Sequence, residues 1–315
     1  MNSTRPDISI IVPVFNRSTI VTDTLDSIAA QTERPLALII VDNNSTDDSL
    51  AVVTKWAVRH ESPDFSVTVL SETTPGAPAA RNKGFESVTT PYVMFFDSDD
   101  IMSPNHVKDF ADTFRADPQL DIAGRDIVSI ELDGTKKIHR FADRDMMFRH
   151  AFNAILSTQR YAVKSSFLRE AGSWNPGALA WNDFELGFRL LVKHPKCKKI
   201  DDTVSVTMRR LSESITGTSY SDTPLKWEHS LDLVADTLSN AGYPDDAIEL
   251  RRVVLAAIYS REGSPEGKRL LGEVIARQKS ASRRALYSVA YRYTRKGGRG
   301  IHILLRPFMK FFKDV

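Results

Sequence analysis

Short apolar runs alternate with amphipathic stretches through the first hundred residues. Four of these runs, residues 8–15, 37–42, 66–70 and 92–97, are continuous and rich in β-branched or aromatic side chains. Strands that are buried on both faces of a parallel sheet have this pattern. The segments between them space their apolar residues as helices do. The pattern therefore predicts an α/β fold with a doubly wound, mostly parallel central sheet flanked by helices.

The pattern changes after residue 100. Residues 126–134 and 136–141 predict a hairpin, residues 160–164 a strand, and residues 182–192 a helix. Beyond residue 223 the apolar spacing is helical throughout. It predicts four helices separated by breaks that contain Gly, Pro or Ser, at residues 225–241, 245–261, 265–278 and 281–294.

These changes suggest how the chain is divided. We expect a first domain over residues 1–222, with one half at 1–110 and the other at 111–222. A helical subdomain at 223–298 and a tail at 299–315 would follow.

Charge sets the C-terminal region apart from the rest. Residues 268–315 carry 13 Lys and Arg against two acidic residues, a net charge of +11, whereas the preceding 267 residues carry −9. In the tail, Ile301, Leu304, Leu305, Phe308 and Phe312 can share one helical face, with Arg306, Lys310 and Lys313 beside it. Basic amphipathic segments of this kind lie on anionic membrane surfaces. Packing of the same face against the protein, or against a second copy in a homodimer, is an equal alternative.

Several classes of protein are excluded by what the sequence lacks. It has no GxGxxG after the first strand, no GxxxxGK[ST] and no HExxH, which argues against dinucleotide oxidoreductases, P-loop ATPases and zinc hydrolases. The basic tail has no nucleic-acid-reading motif, so we expect no nucleic acid partner. One cysteine, a polar N-terminus and no apolar run near ~18 residues favour a cytoplasmic protein, peripheral at the inner face of the membrane if the tail binds it.

Three carboxylates lie within four residues where the fourth apolar run ends. Asp97, Asp99 and Asp100, with Ser98 between the first two, would repel one another unless a cation relieved the charge. Hard oxygen ligands select Mn²⁺ or Mg²⁺, which complete their coordination with phosphate and water. We therefore predict a metal–diphosphate site with Asp99 as the direct ligand. The alternative is an acidic turn that caps the next helix.

Polar residues also follow the first two predicted strands, at the sheet edge where α/β proteins bind ligands. Asn16 ends the first run, and Asp42 ends the second, where its carboxylate can accept from a base imide or a ribose hydroxyl. An Asx turn with a helix cap is the alternative for Asp42. Arg81, near the start of a predicted helix, can bind a phosphate or pair structurally with an Asp.

These motifs, in this order, resemble the inverting nucleotide-sugar glycosyltransferases of family 2, which have the GT-A fold. A Pro-x-x-Asn pattern begins at Pro13, VDNNSTD matches a VDDGSTD-like segment, ARNKG matches ARN-x-G, and DSDD contains the DxD motif. The resemblance implies that the first half binds the donor and the second half the acceptor. It assigns metal binding to Asp99, with Mn²⁺ or Mg²⁺ as cofactor. It assigns donor binding to Pro13, Phe15, Asn16, Asp42, Arg81, Asp97 and Ser98.

The resemblance extends more weakly into the second half. A family Glu-Asp pair maps onto Asn182-Asp183, which makes Asp183 the catalytic base. In a first helical turn the dipole favours the ionised form that a base needs. Arg209 or Arg210 would hold the leaving diphosphate, whereas Leu211 stands where many members place a His. Glu185 and Arg189 form an i,i+4 pair that we expect to be structural.

Two functions follow from these observations. The first is an inverting, metal-dependent hexosyltransferase that moves a sugar from a nucleotide-diphosphate donor, UDP by default, to the hydroxyl of a saccharide or lipid-linked saccharide. Such a reaction would belong to cell-surface polysaccharide or glycolipid synthesis. The second is a catalytically weak nucleotide-sugar-binding or scaffold protein, which the Asn182 and Leu211 departures favour and the retained acids oppose.

Overall fold

The computed structural model of the chain describes residues 6–210 and 219–309. Leu211 and the tail residues Lys310, Phe312 and Lys313 lie outside the described residues. The described chain forms two compact units, the first made of residues 6–144, 155–177 and 193–210, the second of residues 145–154, 178–192 and 219–309. The units therefore interleave along the chain: two segments before residue 222 pack with the C-terminal helices.

A mixed β-sheet forms the centre of the first unit. Its order is β3-β2-β1-β4-β8-β6-β9-β5, with β7 beside β6. In the described part of the chain the strands are β1 Ile8–Val14, β2 Leu36–Asp42, β3 Phe65–Ser71, β4 Tyr92–Phe95, β5 Ile101–Met102, β6 Ile122–Ile130, β7 Lys136–His139, β8 Tyr161–Lys164 and β9 Cys197–Arg209.

Five helices belong to this unit among the residues described. They are α1 Val21–Ala29, α2 Ser49–His60, α3 Ala77–Glu86, α4 His106–Ala116 and α6 Ser165–Glu170. The predicted strand–helix alternation is confirmed over the first hundred residues, with ends shifted by one or two residues. The apolar runs of β1, β2 and β4 are buried almost throughout, which is why they lack the alternation of half-exposed strands.

Parallel pairing is confined to part of the sheet. Strands β1 to β4 pair in parallel, as do β6 and β9, whereas β8 is antiparallel to β4 and β6. The predicted hairpin is present, since β6 pairs antiparallel with β7 around a turn at Gly134. The longest strand, β9, was not predicted. Most of its side chains are partly or fully exposed, so it carries no apolar run.

The second unit is helical over its described residues. Its helices are α5 Met146–Asn153, α7 Asn182–Leu191, α8 Pro224–Asn240, α9 Asp246–Arg261, α10 Glu266–Arg277, α11 Ala281–Arg295 and α12 Ile301–Leu305. All four helices predicted beyond residue 223 are present, as α8 to α11. The core of the unit contains Trp227, Leu231, Val253 and Tyr287, all nearly inaccessible.

The tail differs from the predicted single amphipathic face. Ile301 and Leu305 are buried in the second unit, whereas Leu304 and Phe308 are 58% and 72% exposed. Arg306 forms an ion pair with Asp145 at 2.8 Å and lies over the ring of Phe148. The expectation that these apolar residues share one face was therefore wrong, because helix α12 ends after five residues and only part of it packs inward.

In the described chain, none of the helices is both long enough and apolar enough to cross a bilayer.

Candidate functional site

The carboxylates after β4 are held in different environments. Asp97 accepts a hydrogen bond from Arg81 Nη2 at 2.8 Å and another from Gln159 Nε2 at 2.6 Å. The same Gln159 amide donates to Asp100 at 2.5 Å, so it bridges two of the three acids. These contacts fix both side chains before any ligand is considered.

Asp100 is the buried member of the three. Its side chain also accepts from the backbone N–H of Arg209 at 3.0 Å. Burial and the negative charges of Asp97 and Asp99 raise the pKa of Asp100 well above its usual range. An enclosed carboxyl that already accepts hydrogen bonds from Gln159 and the Arg209 backbone stabilises the loop rather than binding a ligand.

Asp99 is the member available to a ligand. Among the described residues its carboxylate contacts only one cation, Arg17, at 3.7 Å, and accepts no hydrogen bond from a side chain. Burial and the charge of Asp97 raise the pKa of Asp99 to about 6. An ionised oxygen here is costly without a counterion, which is the condition that a divalent cation relieves.

The carboxylates can supply part of the coordination shell of a hard divalent cation. Within the described residues no group of three or more His, Cys, Asp or Glu side chains surrounds a single point. Mg²⁺ and Mn²⁺ do not require such a group when a substrate phosphate and water fill the remaining positions. Asp99 would hold the ion, with Asp97 beside it.

Two arginines predicted for the diphosphate lie at different places. Arg209, at the end of β9, donates from Nε to the carbonyl of Asp99 at 2.5 Å and pairs through Nη1 with Asp23 at 2.8 Å. Its Nη2 is buried and has no hydrogen-bond partner among the described residues. Arg210 lies 3.8 Å from Glu131 instead. Arg209 is therefore the arginine that the fold brings to the carboxylates.

The loops after β1 and β2 are tied together by hydrogen bonds. Asn16, in the left-handed region at φ 50°, accepts from the backbone N–H of Thr46 at 2.8 Å, and its own N–H donates to Ser45 Oγ at 3.1 Å. Asp42 accepts from the Ser45 N–H at 3.2 Å through one oxygen. The other oxygen is buried and unsatisfied among the described residues, so Asp42 retains an acceptor for a ligand.

The remaining predicted donor residues differ in exposure. Phe15 is 54% exposed at the end of β1, Pro13 is partly exposed, and Ser98 is buried. An exposed aromatic ring at a strand end can stack on a planar ligand. Phe15 is thus free of the core, whereas Ser98 lies within the carboxylate loop.

The segment ARNKG positions helix α3 against the sheet. Arg81 stacks on the ring of Trp174 at 4.3 Å while it holds Asp97. Asn82 accepts from the Trp174 N–H and donates to its carbonyl, at 3.0 and 2.8 Å. Gly84 lies so close to β1 that an added Cβ would be 2.7 Å from a methyl of Ile11. The residues of this motif therefore support the carboxylate loop.

Gly84→Ala should destabilise the protein by ~1–3 kcal/mol, because the added methyl forces α3 away from β1. Urea denaturation measures the change. The matched control is Gly272→Ala on α10, where an added Cβ would meet nothing within 4 Å. It should stabilise the protein by ~0.5–1 kcal/mol through helix propensity alone. Equal effects of the two substitutions would contradict the close approach at Gly84.

Asp183 belongs to the second unit, at the second residue of α7. Its carboxylate accepts from the N–H of Phe184 at 2.8 Å, and it is partly exposed. The buried His150 supports this helix, with its ring 3.0 Å from the Phe184 carbonyl. Glu185 is 2% exposed and bonded to Arg189 through both oxygens, at 2.6 and 2.9 Å. The expected i,i+4 pair is therefore present.

Three residues around the carboxylates were not identified from the sequence. Gln159 lies in a short 3-10 helix, Arg17 follows β1, and Trp174 precedes the segment that leads to α7. None of them is part of a local motif. The only sequence signal was a polar side chain, Gln159, directly before a predicted strand.

Comparisons with known proteins relate this chain to glycosyltransferases. A family model described as glycosyl transferase family 2 matches residues 9–171, just over half of the chain. YibD of Escherichia coli K12, an uncharacterized glycosyltransferase, is 32% identical over 123 residues, which are 39% of this chain and 34% of YibD. The poly(ribitol-phosphate) beta-glucosyltransferase of Bacillus spizizenii is 34% identical over 95 residues, 30% of this chain and 15% of that protein. The matched stretch thus spans about a third or less of these relatives.

Solved structures show the same fold at low identity. S. aureus TarS 1-349 in complex with UDP-GlcNAc aligns with a TM-score of 0.67 and 18% identity, over 98% of this chain and 93% of that one. The mannosyltransferase PcManGT from Pyrobaculum calidifontis, in complex with GDP-Man and Mn²⁺, aligns with a TM-score of 0.56 and 18% identity, over 98% and 88%. The predicted GT-A fold with C-terminal helices is confirmed. Since the family model covers more than half of the sequence, this chain belongs to glycosyltransferase family 2.

Proposed function

We propose that the chain transfers a sugar from a nucleotide-diphosphate donor, with UDP as the default nucleotide, to an acceptor hydroxyl with inversion. The observation that carries the proposal is Asp99, the one carboxylate of the DSDD loop that accepts no side-chain hydrogen bond from the described residues. The structural neighbours bound to UDP-GlcNAc and GDP-Man support a nucleotide-sugar donor.

The donor would bind along the edge formed by the ends of β1, β2 and β4. Asp42 offers its unsatisfied oxygen to the base or ribose, and Phe15 offers an exposed ring. Arg81 and Gln159 hold Asp97 in place, so its orientation does not depend on the ligand. Arg209 Nη2 is a donor for a diphosphate oxygen. Pro13, Asn16 and Ser98 would shape the same edge.

Mn²⁺ or Mg²⁺ held by Asp99 would neutralise charge that develops on the departing diphosphate. Asp183 would accept the proton of the acceptor hydroxyl while that oxygen attacks the anomeric carbon. The bond from this carbon to the diphosphate oxygen breaks, and the nucleotide diphosphate leaves with the bonding electrons. A single displacement needs one base and no covalent nucleophile, which gives inversion.

Hydrolysis of nucleotide sugars tests this function. The full chain with Mn²⁺ should release UDP from at least one common UDP-sugar, and chelation should abolish the release. If the folded protein releases no nucleotide from any common donor, the scaffold alternative is favoured.

We further propose that the C-terminal surface contacts an anionic membrane. Ile303, Leu304 and Phe308 are exposed apolar residues near the end of the second unit. Preceding them are exposed cations that have no ion pair among the described residues, namely Arg292, Arg295, Lys296 and Arg299. Each Lys or Arg near an anionic leaflet contributes ~1 kcal/mol, so this group is sufficient for reversible attachment. Lipid-linked saccharides would then be accessible as acceptors.

The double variant Ile303→Glu/Phe308→Glu should abolish sedimentation with phosphatidylserine-containing vesicles at low salt, because it removes apolar contact and adds repulsion. Leu225→Glu, at an equally exposed apolar position on α8, should leave sedimentation unchanged. If both variants still sediment as the parent does, the membrane proposal is wrong.

A further inference from the structure

Four aromatic side chains in the second unit form a cluster beside one arginine. The cluster consists of Trp181, Phe184, Tyr220 and Trp227. The ring of Trp181 lies 5.0 Å from that of Trp227, which lies 4.7 Å from that of Tyr220. Arg251, on α9, places its guanidinium 4.7 Å from the Trp181 ring and 5.3 Å from the Phe184 ring.

Arg251 differs from the adjacent Arg252 in having no counterion among the residues that the structure describes. Among the described residues no carboxylate pairs with it, and its Nε is buried without a hydrogen-bond partner. The adjacent Arg252, in contrast, pairs with Asp232 at 2.7 Å and Glu249 at 3.1 Å. Burial lowers the pKa of Arg251, but a guanidinium remains protonated in proteins. Within the described part of the chain, the cluster therefore holds a fixed positive charge that lies against ring faces and is not paired with a carboxylate.

Part of the cluster is exposed to solvent. Trp181, Tyr220 and Arg251 are partly exposed, whereas Trp227 is buried. Trp181 also has φ 47°, a left-handed conformation that is costly for a bulky residue. Such strain is found at ligand sites, where the surrounding structure holds a side chain in place. Here it holds Trp181 immediately before helix α7.

We propose that Arg251 and this aromatic cluster form a subsite for an anionic saccharide, one that carries a phosphate or a carboxylate. The apolar face of a sugar ring would lie against Trp181 and Tyr220, while the guanidinium would bind the anionic group through paired N–H donors. Trp181 is two residues before Asp183, so a saccharide bound here reaches the first turn of α7. The role of this saccharide as the acceptor rests on the proposed function, whereas its binding at the subsite does not.

A purely structural role for Arg251 makes a different prediction. If the guanidinium only stabilises the rings, its removal lowers the stability of the second unit and leaves no charge preference to be lost. Charge selectivity toward small saccharides therefore separates the two roles.

Binding of three probes to the full chain tests the proposal. The probes are methyl β-D-glucoside 6-phosphate, methyl β-D-glucuronide and neutral methyl β-D-glucoside, and tryptophan fluorescence reports binding near Trp181. The anionic probes should bind at least about tenfold more tightly than the neutral one. A preference between the two anionic probes identifies the phosphate or the carboxylate as the group recognised.

Arg251→Gln should weaken the preferred anionic probe by about tenfold to a hundredfold, which corresponds to the loss of a charged hydrogen-bonded pair. It should leave the neutral probe unchanged. Arg261 is an exposed cation at the end of the same helix. Arg261→Gln removes one positive charge, as Arg251→Gln does, and should leave the affinities for the anionic and the neutral probes unchanged. Equal binding of charged and neutral probes by the parent protein, or equal losses in the two variants, would overturn the proposal.

Two further measurements keep the result interpretable. If Arg251→Gln does not fold, the parent protein is tested at raised ionic strength. Its binding of the anionic probes should weaken and its binding of the neutral probe should not. If all three probes respond alike, the subsite is refuted. UDP binding with Mn²⁺, measured separately, should be the same in the parent and in Arg251→Gln. A protein that selects anionic saccharides but binds no UDP retains the subsite while the proposed function fails, and the reverse result rejects only the subsite.

Discussion

Asp99→Asn should remove the metal-dependent part of UDP binding. The amide lacks the charge that a divalent cation requires, and the other two acids already accept hydrogen bonds from Arg81, Gln159 and the Arg209 backbone. Loss of a residue that hydrogen-bonds a metal ligand commonly lowers metal affinity by about 10–100-fold. Loss of the ligand itself should therefore lower the metal-dependent affinity for UDP by at least about a hundredfold. Calorimetric titration of parent and variant with UDP, with and without Mn²⁺, measures this change in affinity.

The control is Asp112→Asn, which removes a surface carboxylate on α4 and should leave UDP binding intact. UDP–Mn²⁺ binding by Asp99→Asn at the parent's affinity would show that Asp99 is not a ligand.

The same variant has an expected effect on the metal-free protein. Because burial raises the pKa of Asp99 to about 6, the folded state disfavours its ionised form. The resulting stability is complete below the unfolded pKa near 4 and is lost as the pH rises through about 6. At pH 7 without metal, Asp99→Asn should therefore be at least as stable as the parent. A lower melting temperature than the parent's would mean that the ionised side chain contributes to the fold.

Asp183→Asn should keep donor binding and lose transfer. Removal of a general base costs ~10²–10⁴ in turnover, and more if the carboxylate also orients the acceptor. The substitution conserves shape at a partly exposed position in the first turn of α7, so the fold should persist. Measurement of turnover with a verified acceptor, alongside UDP affinity, separates the two effects.

Asp236→Asn, at an exposed acid on α8, serves as the matched control and should transfer sugar normally. If Asp183→Asn also transfers normally, the base lies elsewhere. Glu185 is a poor substitute in that case, because it is buried and both of its oxygens are bonded to Arg189.

Much of the sheet formed by the first hundred residues was predictable because its signals are local. The runs that became β1, β2 and β4 are apolar on both faces, so burial could be inferred without knowing the partner strands. Strand β9 could not be predicted in this way. Its polar residues form a strand because the backbone pairs with β6 and β5, and that pairing leaves no pattern in the sequence.

The sequence by itself determined which acids cluster after β4, the order of the motifs, and the helix that begins at Asn182. Only the tertiary structure decided which of the acids is available. Gln159 and the Arg209 backbone, 59 to 109 residues away in sequence, donate hydrogen bonds to Asp97 and Asp100, which leaves the Asp99 carboxylate for a ligand. It also decided that Ile301 and Leu305 are buried while Leu304 is exposed. Periodicity along a chain reports how neighbouring residues are spaced, whereas the partner of each side chain depends on which distant segments the fold brings into contact.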